Sequence, residues 1–157
     1  GRAEIVPTGR DFTVVIDYAH TPDGLQNICE TMKKCTEGRL ITVFGCGGDR
    51  DKGKRPKMGA IAAALSDYLV ITSDNPRTEE PGAIIQDILE GLQGSKTPYT
   101  VIENRPEAIR WAVAHAKPGD TVLLAGKGHE TYQIFPDKTI HFDDIEEVRK
   151  AFGEDCL

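Results

Sequence analysis

A Rossmann-like, doubly wound α/β fold on a mostly parallel sheet of about six strands is predicted by three features of the sequence. Five short apolar runs rich in β-branched residues alternate with helical patterns, and the connections between them are short. The runs are nearly continuous in hydrophobicity, as strands covered on both faces are. Proline and glycine fall where helices should start and stop.

The expected strands are Phe12–Ile16 (FTVVI), Leu40–Phe44 (LITVF), Tyr68–Thr72 (YLVIT), Tyr99–Ile102 (YTVI) and Thr121–Ala125 (TVLLA). After the first, Leu25, Ile28, Cys29, Met32 and Cys35 keep the spacing of one buried helical stripe. The same spacing recurs in Ile61, Ala62 and Leu65, in Ile84, Ile85, Ile88, Leu89 and Leu92, and in Ile109, Ala112, Val113 and Ala116. Pro22, Pro56, Pro81 and Pro106 lie near helix starts, where a missing N–H costs little. Gly38 and Gly94 follow helix ends, where a positive φ is wanted. A last helix over Asp143–Phe152 opens on Asp143 and Glu146, close to a capping box. Before it, Tyr132–Phe135 and Thr139–Phe142 flank Pro136-Asp137-Lys138 and predict a hairpin at the sheet edge.

At 157 residues, with no internal repeat or linker, the chain is expected to be a single domain spanning 1–157. No apolar run approaches the roughly 20 residues of a membrane helix. The net charge of −6 opposes a nucleic-acid partner but not a small basic pocket, because a small anion feels only local charge. Cys29, Cys35, Cys46 and Cys156 form no CxxC pair, so reduced thiols in a cytoplasmic protein are expected. The start, Gly1-Arg2-Ala3-Glu4, has neither an initiator Met nor a signal-peptide pattern and reads like a cut inside a longer chain.

The unusual residues follow the strands. Asp17 to Pro22 come after the first, Gly45 to Gly53 after the second, Ser73 to Arg77 after the third, Glu103 to Pro106 after the fourth and Gly126 to Glu130 after the fifth. In an open parallel sheet the carboxyl ends of the strands share one edge, where ligands bind. The five segments are therefore expected to converge on one crevice. GCGGDRDKG is neither a dinucleotide fingerprint nor a P-loop. Gly45, Gly47 and Gly48 are expected to turn the backbone sharply and present Arg50.

Asp74-Asn75-Pro76-Arg77 places an anion, an amide and a guanidinium on a turn that proline stiffens. Such a set suits a zwitterion, with carboxylate on Arg77 and ammonium on Asp74. Arg50 could add a second carboxylate clamp and Glu130 a second ammonium acceptor. The plain alternative is a surface pair between Asp74 and Arg77, worth about 0–1 kcal/mol. His20, Asp17, His129 and Glu130 could in principle hold a metal, but they lack chelating spacing, so no protein-ligated metal is expected.

In order and spacing, DYAHTPDGL, VFGCGGDRDKGKRPKMGAIA, SDNPRTEEP and AGKGHETYQ closely resemble the C-terminal domain of the Mur ligases, in the branch that adds diaminopimelate. The likeness covers essentially the whole chain. It implies a three-domain, ATP-dependent ligase that joins meso-diaminopimelate to UDP-MurNAc-L-Ala-D-Glu through an acyl phosphate. On that resemblance Arg50, Asp74, Asn75, Pro76, Arg77, Gly126 and Glu130 bind diaminopimelate, and Arg2, Asp17 and His20 face ATP. The N-terminal and central domains, with the Walker loop and the Mg2+ ligands, are absent from this sequence. Related ligases that add lysine or extend folylpolyglutamate, and a non-catalytic diamino-acid module, are the alternatives; the DNPR and GHE segments argue against the folate type.

Overall fold

The computed structural model describes residues 3–153. Its elements run β1 (Glu4–Val6), β2 (Thr13–Asp17), α1 (Pro22–Cys35), β3 (Leu40–Phe44), α2 (Lys54–Leu65), β4 (Tyr68–Ile71), α3 (Pro81–Glu90), β5 (Tyr99–Val101), α4 (Arg105–His115), β6 (Thr121–Ala125), β7 (Tyr132–Ile134), β8 (Thr139–His141) and α5 (Asp144–Ala151). Six strands form one sheet in the order β1-β2-β6-β3-β4-β5, parallel except for β1, which runs against β2.

Both faces of the central strands are apolar, which is why their sequences read as continuous runs. Val15, Leu40, Phe44, Leu69, Ile71 and Leu123 pack beneath α1, α2 and α3. Their neighbours Val14, Ile16, Ile41, Val43, Val70, Val122 and Leu124 face the opposite way, into α4 and α5. Each fully buried side chain of this kind contributes about 1.5–3 kcal/mol. Helix ends are set locally: Thr21 accepts from Gly24 N, Asn104 from Glu107 N, and Asp143 from Ile145 N and Glu146 N.

Four expectations need correction. The predicted hairpin forms, but as a separate two-stranded sheet of β7 and β8 and not as an edge of the main one. Its place at the edge is taken by β1, whose three residues are too few to show a pattern. The strand β5 lies at the far edge with Tyr99 and Val101 exposed, so it is covered on one side only. Gly38 is required for close approach and not for a positive φ, since a Cβ there would stand 2.6 Å from Asp120 Oδ1. Gly94, by contrast, does have the expected positive φ of 80°. The capping box is half made: Asp143 caps α5, while the Glu146 carboxylate accepts from His141 Nε2 at 2.8 Å.

A buried ion pair ties α5 to the sheet. Arg105 Nε and Nη2 donate to the two Asp144 oxygens at 3.0 and 3.1 Å, and neither side chain reaches solvent. The same guanidinium donates to the Ser73 and Ala125 carbonyls, the last links before two of the ligand-edge loops. Among the described residues no helix is long and apolar enough to cross a membrane.

Candidate functional site

The chain reverses direction around β6. The strands β2, β3 and β4 lead into α1, α2 and α3 on one face, whereas β6 leads through the hairpin to α5 on the other. At such a switch point the loops part and leave a crevice. A cavity of about 360 Å³ opens there, lined from β2 by Tyr18, His20 and Thr21, and from β3 by Gly45, Cys46, Gly47, Arg50 and Lys54. Asp74, Asn75 and Arg77 line it from β4, and Gly126 and Glu130 from β6. Six of the seven residues expected to bind the amino acid therefore share one cavity: Arg50, Asp74, Asn75, Arg77, Gly126 and Glu130.

Two parts of the expectation fail. Pro76 is buried behind the lining, its carbonyl against Gly48. The segment Glu103–Pro106 does not reach the cavity, because β5 is at the sheet edge, with β3 and β4 between it and β6.

The glycines of the second loop also work differently from expectation. None has a positive φ. A Cβ at Gly45 would collide with the Thr72 carbonyl oxygen, and one at Gly48 with that of Pro76. They allow the second and third loops to lie backbone to backbone, and Gly48 N donates to Asn75 O at 2.7 Å. Arg77 takes the unusual conformation, with φ 53°. Strain of this kind persists where surrounding bonds over-determine it. Here Arg77 N donates to Ile134 O at 2.9 Å and Arg77 Nη1 to Gly48 O at 3.0 Å. The Asp74–Arg77 surface pair is not formed.

A bracket outside the cavity clamps the same two loops. Arg55, 1% exposed, donates to both Glu79 oxygens, to Asp87 and to the Gly47 carbonyl. Asp49 N also donates to Glu79 Oε2, at 2.6 Å. The Arg55 hydrogen bonds, with that of Asp49, hold the Glu79 carboxyl down at about 2, against an ordinary 4.5. A depressed carboxyl pKa stabilises the fold above the unfolded value, and the benefit is lost as pH falls toward the folded value. The urea midpoint of the wild type should therefore fall between pH 4.5 and 2 more steeply than that of Glu79→Gln. Parallel curves would contradict the bracket.

The cavity lining brings two carboxylates together with two guanidiniums. Asp74 and Glu130 supply the acids, and both lean on Lys127, whose ammonium is wholly buried behind them. Lys127 Nζ donates to Asn75 Oδ1 and Tyr132 O at 2.9 Å each and to Glu130 Oε1 at 3.3 Å, and stands 3.2 Å from Asp74 Oδ1 as an ion pair without hydrogen-bond alignment. Arg50 and Arg77 supply the guanidiniums. The negative potential reaches Tyr18, whose phenol is raised above its ordinary value by the Glu130 charge, then by partial burial and by Tyr132 and Asp74. Burial pushes the Cys46 thiol up to about 12, so this wall residue is not a nucleophile at neutral pH. Cys29, Cys35 and Cys46 are free, and Cys156 lies outside the described residues.

Tyr18, His20 and Thr21 form a wall shared with a second cavity of about 660 Å³, which Asp17 also lines. Asp17 is held by the Ala3 and Ala19 amides at 2.6 and 2.8 Å. The His20 ring bonds the Tyr18 carbonyl at 2.9 Å, and Lys54 Nζ donates to the His20 carbonyl at 3.1 Å. Arg2, expected beside them, lies outside the described residues. Asp17 and His20 thus both line the second cavity, and His20 lines the first as well. His129 pairs instead with Glu4 at 3.4 Å, and among the described residues no three His, Cys, Asp or Glu side chains converge as a metal cage.

The family model for the glutamate ligase domain of Mur ligases matches residues 1–128. The chain belongs to this family. As a Mur ligase C-terminal domain it is 56% identical over 154 residues to the UDP-N-acetylmuramoyl-L-alanyl-D-glutamate–2,6-diaminopimelate ligase of Caldanaerobacter subterraneus subsp. tengcongensis, covering 98% of this chain and 32% of that protein. It is also 56% identical to the ligase of the same name from Clostridioides difficile, over 100% of this chain and 31% of that one. A solved structure of a ligase of that name superposes with a TM-score of 0.89 at 42% identity, over 98% of this chain and 31% of the other. E. coli FolC in complex with ADP matches at 28% identity and a TM-score of 0.60, over 80% of this chain and 28% of that one. The chain thus spans about a third of the length of the curated relatives.

Residue-type reasoning missed Lys127, Tyr18, Lys54 and the hairpin residue Gln133. Gln133, 1% exposed, donates to the Asp74 carbonyl at 2.7 Å, and Asn75 Oδ1 accepts from Ile134 N at 3.1 Å. The available signal was positional: Lys127 sits between two glycines directly after a fully buried strand, where its charge cannot readily escape to solvent.

Proposed function

We propose that this chain is the C-terminal domain of a cytoplasmic three-domain ligase that adds meso-diaminopimelate to UDP-MurNAc-L-Ala-D-Glu in peptidoglycan synthesis, at the expense of ATP. The observation that carries the reading is the single cavity lined by Asp74, Glu130, Arg50 and Arg77 together. Diaminopimelate has a zwitterion at each end. One end can be held in this cavity, with its carboxylate on the guanidiniums and its ammonium on the acids, which leaves the other amine free to react. The relatives of the same name support this choice of amino acid.

In the proposed reaction the γ-phosphoryl group of ATP passes to the D-glutamate carboxylate, giving an acyl phosphate and ADP. The free amine then attacks the acyl carbon. The C–N bond forms, the amine gives up a proton, and phosphate leaves with the electrons of the broken C–O bond. This domain's share is to hold the nucleophile. Orientation of that kind can supply about 7–11 kcal/mol of the barrier in favourable cases. The cavity containing Asp17 and His20 is assigned to the ATP side, where Arg2 would join it; the wall it shares with the first cavity supports a nucleotide bound next to the amino acid. Magnesium would accompany ATP as a counter-charge to its phosphates. With no three-ligand cluster among the described residues, its ligands are assigned to the central domain.

The test is steady-state phosphate release by the full-length ligase, with UDP-MurNAc-L-Ala-D-Glu and either meso-diaminopimelate or lysine. Lysine lacks the distal carboxylate and would leave two arginines unpaired, so kcat/KM should favour diaminopimelate by about 10⁴. Equal use of the two, or use of neither, overturns the proposal.

A further inference from the structure

We propose that Lys127, although it lines no part of the cavity, sets the charge balance of the amino-acid pocket and thereby its preference between ligands. The inference rests on the assignment of that pocket to diaminopimelate. Lys127 is fully buried, and its ammonium stands 3.2 Å from Asp74 and 3.3 Å from Glu130, the two acids assigned to the ligand's ammonium. With Arg50, Arg77 and Lys54 also at the pocket, two carboxylates meet four cations, so the pocket carries two positive charges in excess.

That excess has a direction. A distal zwitterion adds no net charge and gives every group a partner. A distal ammonium alone adds a cation to a site already positive and leaves the arginines without an anion. Rejection therefore comes from an uncompensated charge as much as from a missing contact. Without Lys127 the five charged lining groups would sum to one positive charge, half the excess, and a distal ammonium would be penalised less. Burial strengthens the effect, because charges shielded from water interact through a lower effective dielectric.

Lys127 also holds geometry, through Asn75 Oδ1 and the Tyr132 carbonyl. A neutral residue doing only that job is close by: Gln133, buried, donates to the Asp74 carbonyl from the hairpin. The two roles can therefore be separated. Lys127 is a positioning residue whose charge matters, and Gln133 one whose charge is nil.

The experiment uses the full-length ligase. Lys127→Met should raise KM for meso-diaminopimelate about tenfold, leave kcat within about threefold, and lower the diaminopimelate-to-lysine ratio of kcat/KM at least tenfold. Gln133→Met should raise KM for both amino acids and leave the ratio within about twofold. Lys127→Gln, which keeps a donor without the charge, should behave like Lys127→Met. A folded Lys127→Met or Lys127→Gln enzyme with an unchanged ratio overturns the inference. So does an equal loss on both substrates.

A second arm needs no variant. In the wild type, 2-aminopimelate, which carries a distal carboxylate alone, should inhibit more strongly than lysine, which carries a distal ammonium alone. The reverse order refutes the positive excess whatever the variants do. A wild-type enzyme that does not use diaminopimelate refutes the pocket assignment instead, which keeps the two failures distinct.

Discussion

Replacing Arg77 with alanine in the full-length ligase should lower kcat/KM for diaminopimelate by about 10²–10³ and leave lysine nearly untouched. Truncating one member of a partly desolvated, hydrogen-bonded charge pair costs about 2–5 kcal/mol, and 1.4 kcal/mol is a factor of ten. Arg77 is suited to such a pair because its position is imposed. Its backbone sits at φ 53°, bonded to Ile134 O, and its guanidinium is half spent on the Gly48 carbonyl at 3.0 Å. Arg77 lines the cavity together with Gly47 and Arg50. Arg77→Lys keeps the charge but loses the planar fork, so it should recover only part of the loss. Retained selectivity in Arg77→Ala would mean that the distal carboxylate is read elsewhere, and Arg50 would be the next residue to replace.

The second large effect is on stability. Asp144→Ala leaves the Arg105 guanidinium buried without its counter-charge, and breaking such a pair typically costs about 3–5 kcal/mol. Burial works against that guanidinium, and the Asp144 carboxylate more than offsets it, so its pKa is raised. For a domain of this size the cost corresponds to a fall in Tm of roughly 6–20 °C. The double variant Arg105→Met, Asp144→Leu removes the orphaned charge and should regain much of the loss. Thermal unfolding of the single and double variants gives the comparison, and a shift under 2 °C for Asp144→Ala would show that the pair is dispensable.

The central sheet was legible because burial on both faces writes itself into every residue of a strand. The runs that became β3 and β6 were placed to the residue, since all five positions in each are buried. Edge strands carry no such imprint. In β1 only Val6 is buried, and β5 mixes exposed Tyr99 and Val101 with one half-buried threonine. The candidate site was legible in its cavity-lining polar residues, because loop positions after parallel strands converge by topology. What stood behind the lining was not. Lys127 and Gln133 act through distances between segments 52 and 59 residues apart, and no local pattern encodes a partner that far away. Gly45 and Gly48 were noticed for the wrong reason: the need was for room between two backbones, which only the folded pair of loops reveals.

The β7–β8 hairpin stands apart from the sheet and beyond residue 128, where the match to the family model stops. Yet it touches the Asp74–Arg77 turn at three of its four residues, Asp74, Asn75 and Arg77, through Gln133 Nε2, Ile134 N and Arg77 N. The segment that braces the Asp74–Arg77 turn is therefore distinct from the six-stranded sheet that builds the fold. Within the family, such a division would let a lineage change the amino acid it accepts by rewriting a short appended segment. The strands, and the loops proposed to face the nucleotide, could stay as they were.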